Sequence, residues 1–454
     1  MSGDGRSSGL SRAAKPSTTG RPGGRTSLDV TVLPGLHRRS PPKTLNAAQF
    51  FTWFGASLVA LIGLTIGLTV AVDPYRMYGT PTIPGWTALK PEIYDHIGIA
   101  LTYQLERVRP NTLLLGNSRV EVGFDPESKV WPGLARPIFN AAEPGRDLRA
   151  AIDMLRDAIA VHIPHTVIVG LDILDFLQKP TPEPAPEPTS RAEDRRLLVD
   201  RDGKPNPERW LQIWRDRLAT TLSIDAVVDS VMTLFDQDPQ TAETITPLGF
   251  DPMNEYHVFA SRQGYHELFA QKNAIYRAQY PHYTSPDFAH PMAYREFCYL
   301  QEIIDLTKGY NINLILFIHP YHTDYLDMLR EVGLWPAFEA WKRAIVNLVA
   351  AAKTAGAADQ IRLFDFSGYN RITSEPVPPP GDRHTVMHWY WEAGHYKSSI
   401  GDEMLRTMFG KGHFGVALTR ANLDQVLAEI RASRARYQAR RMGEIDLDNK
   451  PRSR

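Results

Sequence analysis

The chain has 454 residues, a formal net charge of zero and a single cysteine, Cys298. This length allows two average domains, or one large domain with a tail. The net charge gives no argument for nucleic-acid binding, and one cysteine excludes an intramolecular disulfide and a cysteine-rich zinc site.

The first 44 residues carry eight basic and two acidic side chains, a net charge of +6, and are rich in Gly, Ser and Pro. They lack hydrophobic periodicity, so we predict a disordered basic tail over residues 1–45. The uncharged run from Phe50 to Val72 follows. At about 1.5 Å per residue it can cross a hydrocarbon core of roughly 30 Å, and it is longer than the apolar region of a typical signal peptide.

We therefore predict a single-pass signal anchor over residues 46–72 in an inner (plasma) membrane. The basic tail places the N-terminus in the cytoplasm by the positive-inside rule. The main domain would then be periplasmic or extracellular. Residues 73–110 are interpreted as a stalk and an entry helix that leads into the main domain.

Residues 111–415 alternate strand and helix patterns. Five segments resemble buried strands: NTLLLGNS, PIFNAAEPG, HTVIVGLDILDF, GYNINLILFIHP and IRLFDFSG. Helical periodicity fills the gaps, so the pattern predicts an α/β protein with a three-layer parallel sheet. The Pro-rich stretch QKPTPEPAPEPTSRAEDRR opens an insertion at about 178–290, interpreted as a lid or substrate-facing element. Residues 416–454 are predicted to form a C-terminal helix and a polar tail.

Candidate functional residues follow three predicted strands. In an open parallel sheet, such residues gather outside the carboxyl ends of the strands. Ser118 follows the first strand, Gly145 the second and Asp172 the third. A serine at this position is a candidate nucleophile; the alternative is a serine that caps a loop.

A candidate base lies near the other end of the chain, in MHWYWEAGHYKSSIGDEML. Glu392 and His395 are three residues apart, and on a turn leading into a helix this spacing places both side chains on one side. The carboxylate can accept from one imidazole nitrogen and leave the other to take the serine proton. Gly394 would permit an unusual backbone angle and a close approach.

These blocks together resemble the SGNH (GDSL-like) hydrolase superfamily. The resemblance covers roughly residues 73–410. It is most specific in the segment around Ser118 and in the segment with Glu392 and His395. Within the superfamily, the chain looks like membrane-anchored members that act beside membrane-bound O-acyltransferases, such as alginate O-acetylation and teichoic acid D-alanyl transfer proteins; VDPYRMYG and HYKSSIGDEML fit this likeness. The resemblance implies a flavodoxin-like sheet, Ser118 as nucleophile, His395 as base, and oxyanion contacts from the N–H groups of Ser118 and Gly145.

Two residues depart from the family pattern. Glu392 stands where an aspartate is usual, and Asp172 stands where an asparagine side chain normally contacts the oxyanion. A carboxylate would repel an oxyanion, and one lost donor costs roughly 10²–10³ in rate. Asn117 or Asn140 could compensate, the enzyme could be slow without a partner, or the chain could lack activity.

The sequence leads to one main hypothesis and one rival. The first is a membrane-anchored SGNH-like serine acyl esterase or O-acyltransferase that modifies a cell-envelope or secreted polysaccharide. Its expected partners are the lipid bilayer, the polysaccharide and a membrane-bound O-acyltransferase, with no nucleic acid. The rival is a catalytically inactive SGNH-fold binding or assembly subunit.

Two further interpretations stay open: the role of Arg119 and the presence of a metal site. Arg119 is interpreted as a salt-bridge residue or a substrate clamp. A third reading, a metal-dependent hydrolase, would draw its ligands from His319, His322, Asp382, His384 and His388. Their spacing is not diagnostic, and we expect neither a metal nor another cofactor.

Overall fold

A computed structural model describes residues 46–178, 195–200, 202–357 and 360–448. The predicted tail over residues 1–45, most of the Pro-rich opening of the insertion and the last six residues lie outside the described residues.

The first helix, α1 (Ala47–Val72), has 26 residues and no charged side chain. Large apolar residues project from it, with Phe51, Trp53 and Leu64 exposed by 68%, 65% and 72%. The helix is long and apolar enough to cross a membrane. The predicted apolar segment of spanning length is therefore present as one continuous helix.

A six-stranded sheet organises the rest of the chain, in the order β2-β1-β3-β4-β5-β8. The first five strands are parallel and β8 pairs antiparallel to β5. This arrangement confirms the predicted α/β class. The sheet was predicted to be parallel and is mainly so, since the antiparallel β8 lies in the segment predicted as a C-terminal helix and tail. The strands are β1 (Thr112–Leu115), β2 (Ile138–Asn140), β3 (Thr166–Leu171), β4 (Asn313–Ile318), β5 (Ile361–Asp365) and β8 (Val416–Ala417). A separate antiparallel hairpin contains β6 (Tyr390–Glu392) and β7 (His395–Tyr396).

Helices occupy connections between the strands. Those outside the predicted insertion are α2 (Ile97–Val108), α3 (Ser118–Gly123), α4 (Leu148–Val161), α5 (Ile173–Phe176), α10 (Arg295–Gly309), α11 (Thr323–Glu331), α12 (Trp335–Ala352), α13 (Ser398–Met408) and α14 (Leu423–Asp448). Of these, α2 lies before the first strand and α14 after the last one. The described part of the insertion contains α6 (Arg209–Thr221), α7 (Ile224–Phe235), α8 (Asn254–Gln263) and α9 (Tyr265–Gln279).

The strands are buried on both faces, which explains their continuous apolar sequence. Leu113 and Val167 point into one core, with α4, α10 and α12. Leu114 and Ile168 point into the other core, which includes residues of α9 and α13. The alternation follows from the two-residue period of a strand.

The strand order reverses at β1: the next strand along the chain, β2, lies on one side of β1, and β3 lies on the other side. Crevices form outside the carboxyl ends of the strands at such a switch point. Residues that directly follow β1 therefore occupy the position where an open α/β sheet places its functional site.

Candidate active site

Ser118 is the first residue of the short helix α3, directly beyond β1. Gly116 makes the connection with a φ of 150°, and a Cβ there would lie 2.5 Å from a methyl carbon of Val120, so only glycine fits this turn. The Asn117 side chain caps α3 by accepting from the Arg119 N–H at 3.1 Å. This turn directs the Ser118 hydroxyl toward the crevice.

Glu392 and His395 lie opposite each other on the β6–β7 hairpin. The expected turn leading into a helix is wrong in detail, because α13 begins only at Ser398. The three-residue spacing is instead that of a tight β-turn, whose end positions are cross-strand neighbours. The hairpin still places the carboxylate and the imidazole side by side.

The structure brings Ser118, His395 and Glu392 together. The Ser118 Oγ lies 2.8 Å from the His395 Nε2, although the two residues are 277 positions apart. The His395 Nδ1 contacts the Glu392 carboxylate through Oε1, and Glu392 Oε2 accepts from the Gly394 N–H at 2.7 Å. This is the relay of hydroxyl, imidazole and carboxylate that activates a serine.

The hydroxyl and the imidazole line a cavity of about 720 Å³. Gly145 lines the same cavity, as do the cationic side chains of Lys272, Arg146 and Arg295. Three tyrosines complete much of the wall: Tyr276, Tyr283 and Tyr294. A cavity of this size, with polar and aromatic walls, is suited to a polar organic ligand.

Helix α9 supplies two residues that the sequence reasoning missed. The Lys272 Nζ lies 3.7 Å from Glu392 Oε1. A Cβ on Gly394 would lie 2.0 Å from the Tyr276 hydroxyl and 3.0 Å from the Lys272 Cε. Glycine is therefore required at position 394 because α9 packs closely against it. The unusual backbone angle expected there is not observed, since Gly394 is not among the described residues with a positive φ. The helical spacing of Lys272 and Tyr276 was the only available sequence signal.

Two opposing effects set the ionisation of the pair. Burial lowers the pKa of the His395 imidazole; the Glu392 carboxylate opposes this, while the Lys272 and Arg119 charges lower it further, and the net pKa is below the ordinary value. Burial raises the pKa of Glu392, but His395, Lys272 and the Gly394 N–H together bring it below its ordinary value. The site therefore favours a carboxylate beside a neutral imidazole, whose Nε2 can accept a proton.

Asp172 is not among the residues that line the cavity. Its fully buried carboxylate pairs with the Arg119 guanidinium and accepts from the Tyr321 hydroxyl at 3.0 Å. The Asn117 amide also donates to it, at 3.2 Å. These partners hold the negative charge, so the repulsion anticipated from the sequence is offset by a buried cation.

Arg119 connects the two halves of the site. Its Nε donates to the Gly394 carbonyl at 2.7 Å, and its guanidinium lies 5.3 and 5.1 Å from the ring centroids of Tyr321 and Tyr325. The residue after Ser118 is thus bonded to the residue before His395. Of its two expected roles, the buried guanidinium fits the salt bridge better than a substrate clamp.

Asn140 does not fit the role of a compensating oxyanion donor. It is fully buried, and its amide nitrogen donates to the carbonyls of Val120, Glu121 and Phe124 at 3.0 to 3.2 Å. The amide therefore caps the C-terminal end of α3. Gly145, by contrast, lines the cavity with Ser118, and the Glu143 N–H bonds to the Gly116 carbonyl at 3.1 Å, which holds the two loops together.

The residues considered as metal ligands make separate contacts. The His319 Nδ1 lies 3.1 Å from the Tyr396 hydroxyl, and the His322 Nε2 lies 2.9 Å from the Glu375 carbonyl. Asp382 accepts from the backbone of His384 at 2.9 Å. Within the described ranges, no group of three or more His, Cys, Asp or Glu side chains is arranged to hold a metal ion.

A comparison of the chain with protein-family models finds no match, and a comparison with curated proteins also finds none. The functional argument therefore depends on the geometry of this site.

Proposed function

We propose that the chain is an SGNH-like serine acyl esterase or O-acyltransferase with a flavodoxin-like sheet, anchored in the plasma membrane by α1. The observation that carries this proposal is the contact of the Ser118 Oγ with the His395 Nε2 at 2.8 Å, with the Glu392 carboxylate against the other ring nitrogen. The strand order at the switch point supports the same class.

The reaction would begin with transfer of the Ser118 hydroxyl proton to the His395 Nε2 as the Oγ attacks an acyl carbonyl. The Glu392 carboxylate stabilises the imidazolium that forms, and it accepts a hydrogen bond from the Nδ1–H, which keeps that proton on Nδ1. The N–H groups of Ser118 and Gly145 are the proposed oxyanion donors. His395 then returns its proton to the leaving oxygen. A sugar hydroxyl or water next gives its proton to the His395 Nε2 and attacks the acyl-serine; the bond from the acyl carbon to the Ser118 Oγ breaks, and the proton returns to the Ser118 Oγ.

The cavity supports a carbohydrate acceptor. Tyrosines and cationic side chains line it together with the carboxylates of Asp147, Asp175 and Glu296, and such walls suit a hydroxyl-rich, polar substrate. We propose a cell-envelope or secreted polysaccharide as the acceptor, and a membrane-bound O-acyltransferase as the partner that supplies the acyl group. The main argument for an inactive binding subunit was the Asp172 charge, and its pairing with Arg119 weakens that argument.

The first test treats the detergent-solubilised full chain with a fluorophosphonate and with p-nitrophenyl acetate. We expect labelling that maps to Ser118 and is abolished in Ser118→Ala. Ser399→Ala is the matched control, since the Ser399 hydroxyl only donates to the His388 carbonyl. Equal labelling of wild type and Ser118→Ala would contradict Ser118 as the nucleophile, and a folded wild type without labelling would support the inactive subunit.

The second test addresses topology through the single cysteine, which is exposed. A membrane-impermeant maleimide should label Cys298 in cells with a permeabilised outer envelope but an intact plasma membrane. In a Cys298→Ser background, Ser7→Cys in the basic tail should react only after lysis. The opposite pattern would reverse the proposed orientation.

A further inference from the structure

The helix pair α6–α7 has its polar side buried and its apolar side exposed, the reverse of a helix on a water-soluble domain. The buried positions are mainly polar: Gln212, Asp216, Thr220, Thr221, Ser230 and Thr233. The exposed positions include large apolar residues with exposed fractions from 51% to 85%: Trp210, Trp214, Leu218, Ile224, Val228 and Phe235. We call this exposed set the α6–α7 surface.

Polar contacts explain why the pair is oriented in this way. Asp216 accepts two hydrogen bonds from the Arg196 guanidinium, at 2.6 and 2.9 Å, and one from the Tyr103 hydroxyl at 2.9 Å. The Tyr75 hydroxyl bonds to Asp229 on α7. These buried bonds attach the polar side to the domain and leave the apolar side outside.

The bend between the two helices lies against the outer end of α1. The Thr69 hydroxyl is 3.3 Å from the Thr221 carbonyl, and Thr69 is buried. Thr69 precedes the helix end at Val72 by three residues, which is about 4.5 Å along the helix axis. Interfacial helices lie roughly 5–10 Å deep at the headgroup boundary, so the bend is at interfacial depth if α1 spans a bilayer.

The loop that contacts the end of α7 carries an exposed tryptophan. The Gln237 side chain accepts from the Leu89 N–H at 3.0 Å and donates to the Leu89 carbonyl at 2.9 Å. This pairing brings the loop after α1 beside α7, and that loop exposes Trp86 by 63%. Tryptophan is enriched at membrane–water interfaces.

The two helices taken together are long and apolar enough for a second, broken span. The exposed charges of Arg215, Arg217 and Asp225 favour an interfacial position instead. The helices have 13 and 12 residues, about 20 and 18 Å at 1.5 Å per residue, and they meet at a bend of 56°. Neither helix alone crosses a core of roughly 30 Å. The exposed Arg217 guanidinium lies 5.4 Å from the Trp214 ring centroid, a combination suited to lipid headgroups.

We propose that the α6–α7 surface lies in the interfacial layer of the same bilayer that α1 crosses, with lipid as its partner. The proposal rests on the membrane anchoring in the proposed function, but not on the serine chemistry. Two membrane contacts, one spanning and one lying flat, hold the catalytic domain in a defined orientation to the bilayer, which α1 alone would not do.

The test uses the full chain in phosphatidylcholine–phosphatidylglycerol vesicles, in a Cys298→Ser background. An environment-sensitive fluorophore is attached to Leu218→Cys, Val228→Cys or Phe235→Cys, with Val386→Cys as the control. Val386 is 70% exposed in the loop before β6. We expect the three labels on α6–α7 to shift to shorter wavelength and to be quenched several-fold more by a shallow nitroxide lipid than by an aqueous nitroxide, and the control to show the reverse.

Four results would overturn the inference. Water-like labels in pure lipid show that the surface does not contact the bilayer. Shifts that occur only after a membrane protein is added assign the surface to a protein partner. Strongest quenching at the bilayer centre indicates a second span. A chain that does not float with the vesicles contradicts the anchor as well. Fluorophosphonate labelling of Ser118 in the same vesicles reports the proposed chemistry separately.

Discussion

Replacing Glu392 by glutamine should reverse the tautomer of His395. The Glu392 carboxylate accepts two hydrogen bonds: one from the His395 Nδ1 and one from the Gly394 N–H, which lies 2.7 Å from Oε2. A glutamine has only one acceptor oxygen. Because the buried Gly394 N–H needs an acceptor, the amide oxygen should stay there and the NH₂ should face Nδ1. Nδ1 must then accept, its proton moves to Nε2, and Nε2 can no longer take the proton of Ser118.

The size of the effect follows from the role of the carboxylate. Loss of the correct tautomer in a serine triad lowers kcat by about 10⁴, which corresponds to about 5.4 kcal/mol in the activation free energy. Glutamine is nearly isosteric with glutamate, so the fold should be retained. We therefore expect fluorophosphonate labelling of Glu392→Gln to be slower than wild type by 10³- to 10⁴-fold.

The assay measures the labelling rate of the full chain in detergent, beside a thermal unfolding curve of each protein. Glu331→Gln is the matched control, since Glu331 forms an exposed ion pair with Arg277 at 2.8 Å, and such pairs contribute little. A Glu392→Gln rate within tenfold of wild type, with the fold intact, would refute the assigned role of the carboxylate.

Three further predictions concern the surroundings of the site and the core. The lowered pKa of His395 keeps the imidazole neutral to a lower pH than usual. The labelling rate should therefore fall only below pH 6.5 as the solution is acidified. Lys272→Met removes a cation that lowers this pKa, so the acidic fall in rate should move to higher pH. Gly394→Ala would place a methyl 2.0 Å from a tyrosine hydroxyl on α9, and the displaced hairpin should lower the labelling rate by about 10². The buried Asp365 carboxylate lies 2.6 Å from the Lys342 Nζ, and Lys342→Met would leave it without a counterion. This variant should lower the free energy of unfolding, measured by urea titration, by about 3–5 kcal/mol.

Each of these predictions has a matched control. Lys411→Met changes an exposed lysine and should leave the pH profile unchanged. If the rate of Lys272→Met falls at the same acidic pH as the rate of wild type, the electrostatic argument is contradicted. Gly133→Ala adds a methyl with no atom within 4 Å, and equal rates for the two alanine variants contradict the steric one. Lys342→Met combined with Asp365→Leu should recover most of the lost stability; a single variant as stable as wild type contradicts the ion-pair argument.

The site shows how far sequence reasoning reaches and where it stops. The position of Ser118 after a buried strand and the spacing of Glu392 and His395 were sufficient to nominate all three residues. The predicted helical turn was wrong, because a three-residue spacing serves a tight hairpin as well as a helix. Asp172 was interpreted as a repulsive charge, because the sequence does not show that its carboxylate is paired with Arg119.

The sequence by itself determined the features that depend on neighbours along the chain: the apolar helix α1, the buried strands and the small residues at their ends. These follow from hydrophobic periodicity and local backbone sterics. The tertiary structure decided what depends on distant residues, namely the contact of Ser118 with His395, the approach of Lys272 to Glu392 and the outward apolar side of α6–α7. A side chain's partner is set by how the sheet and its helices pack, and sequence order does not encode that packing locally.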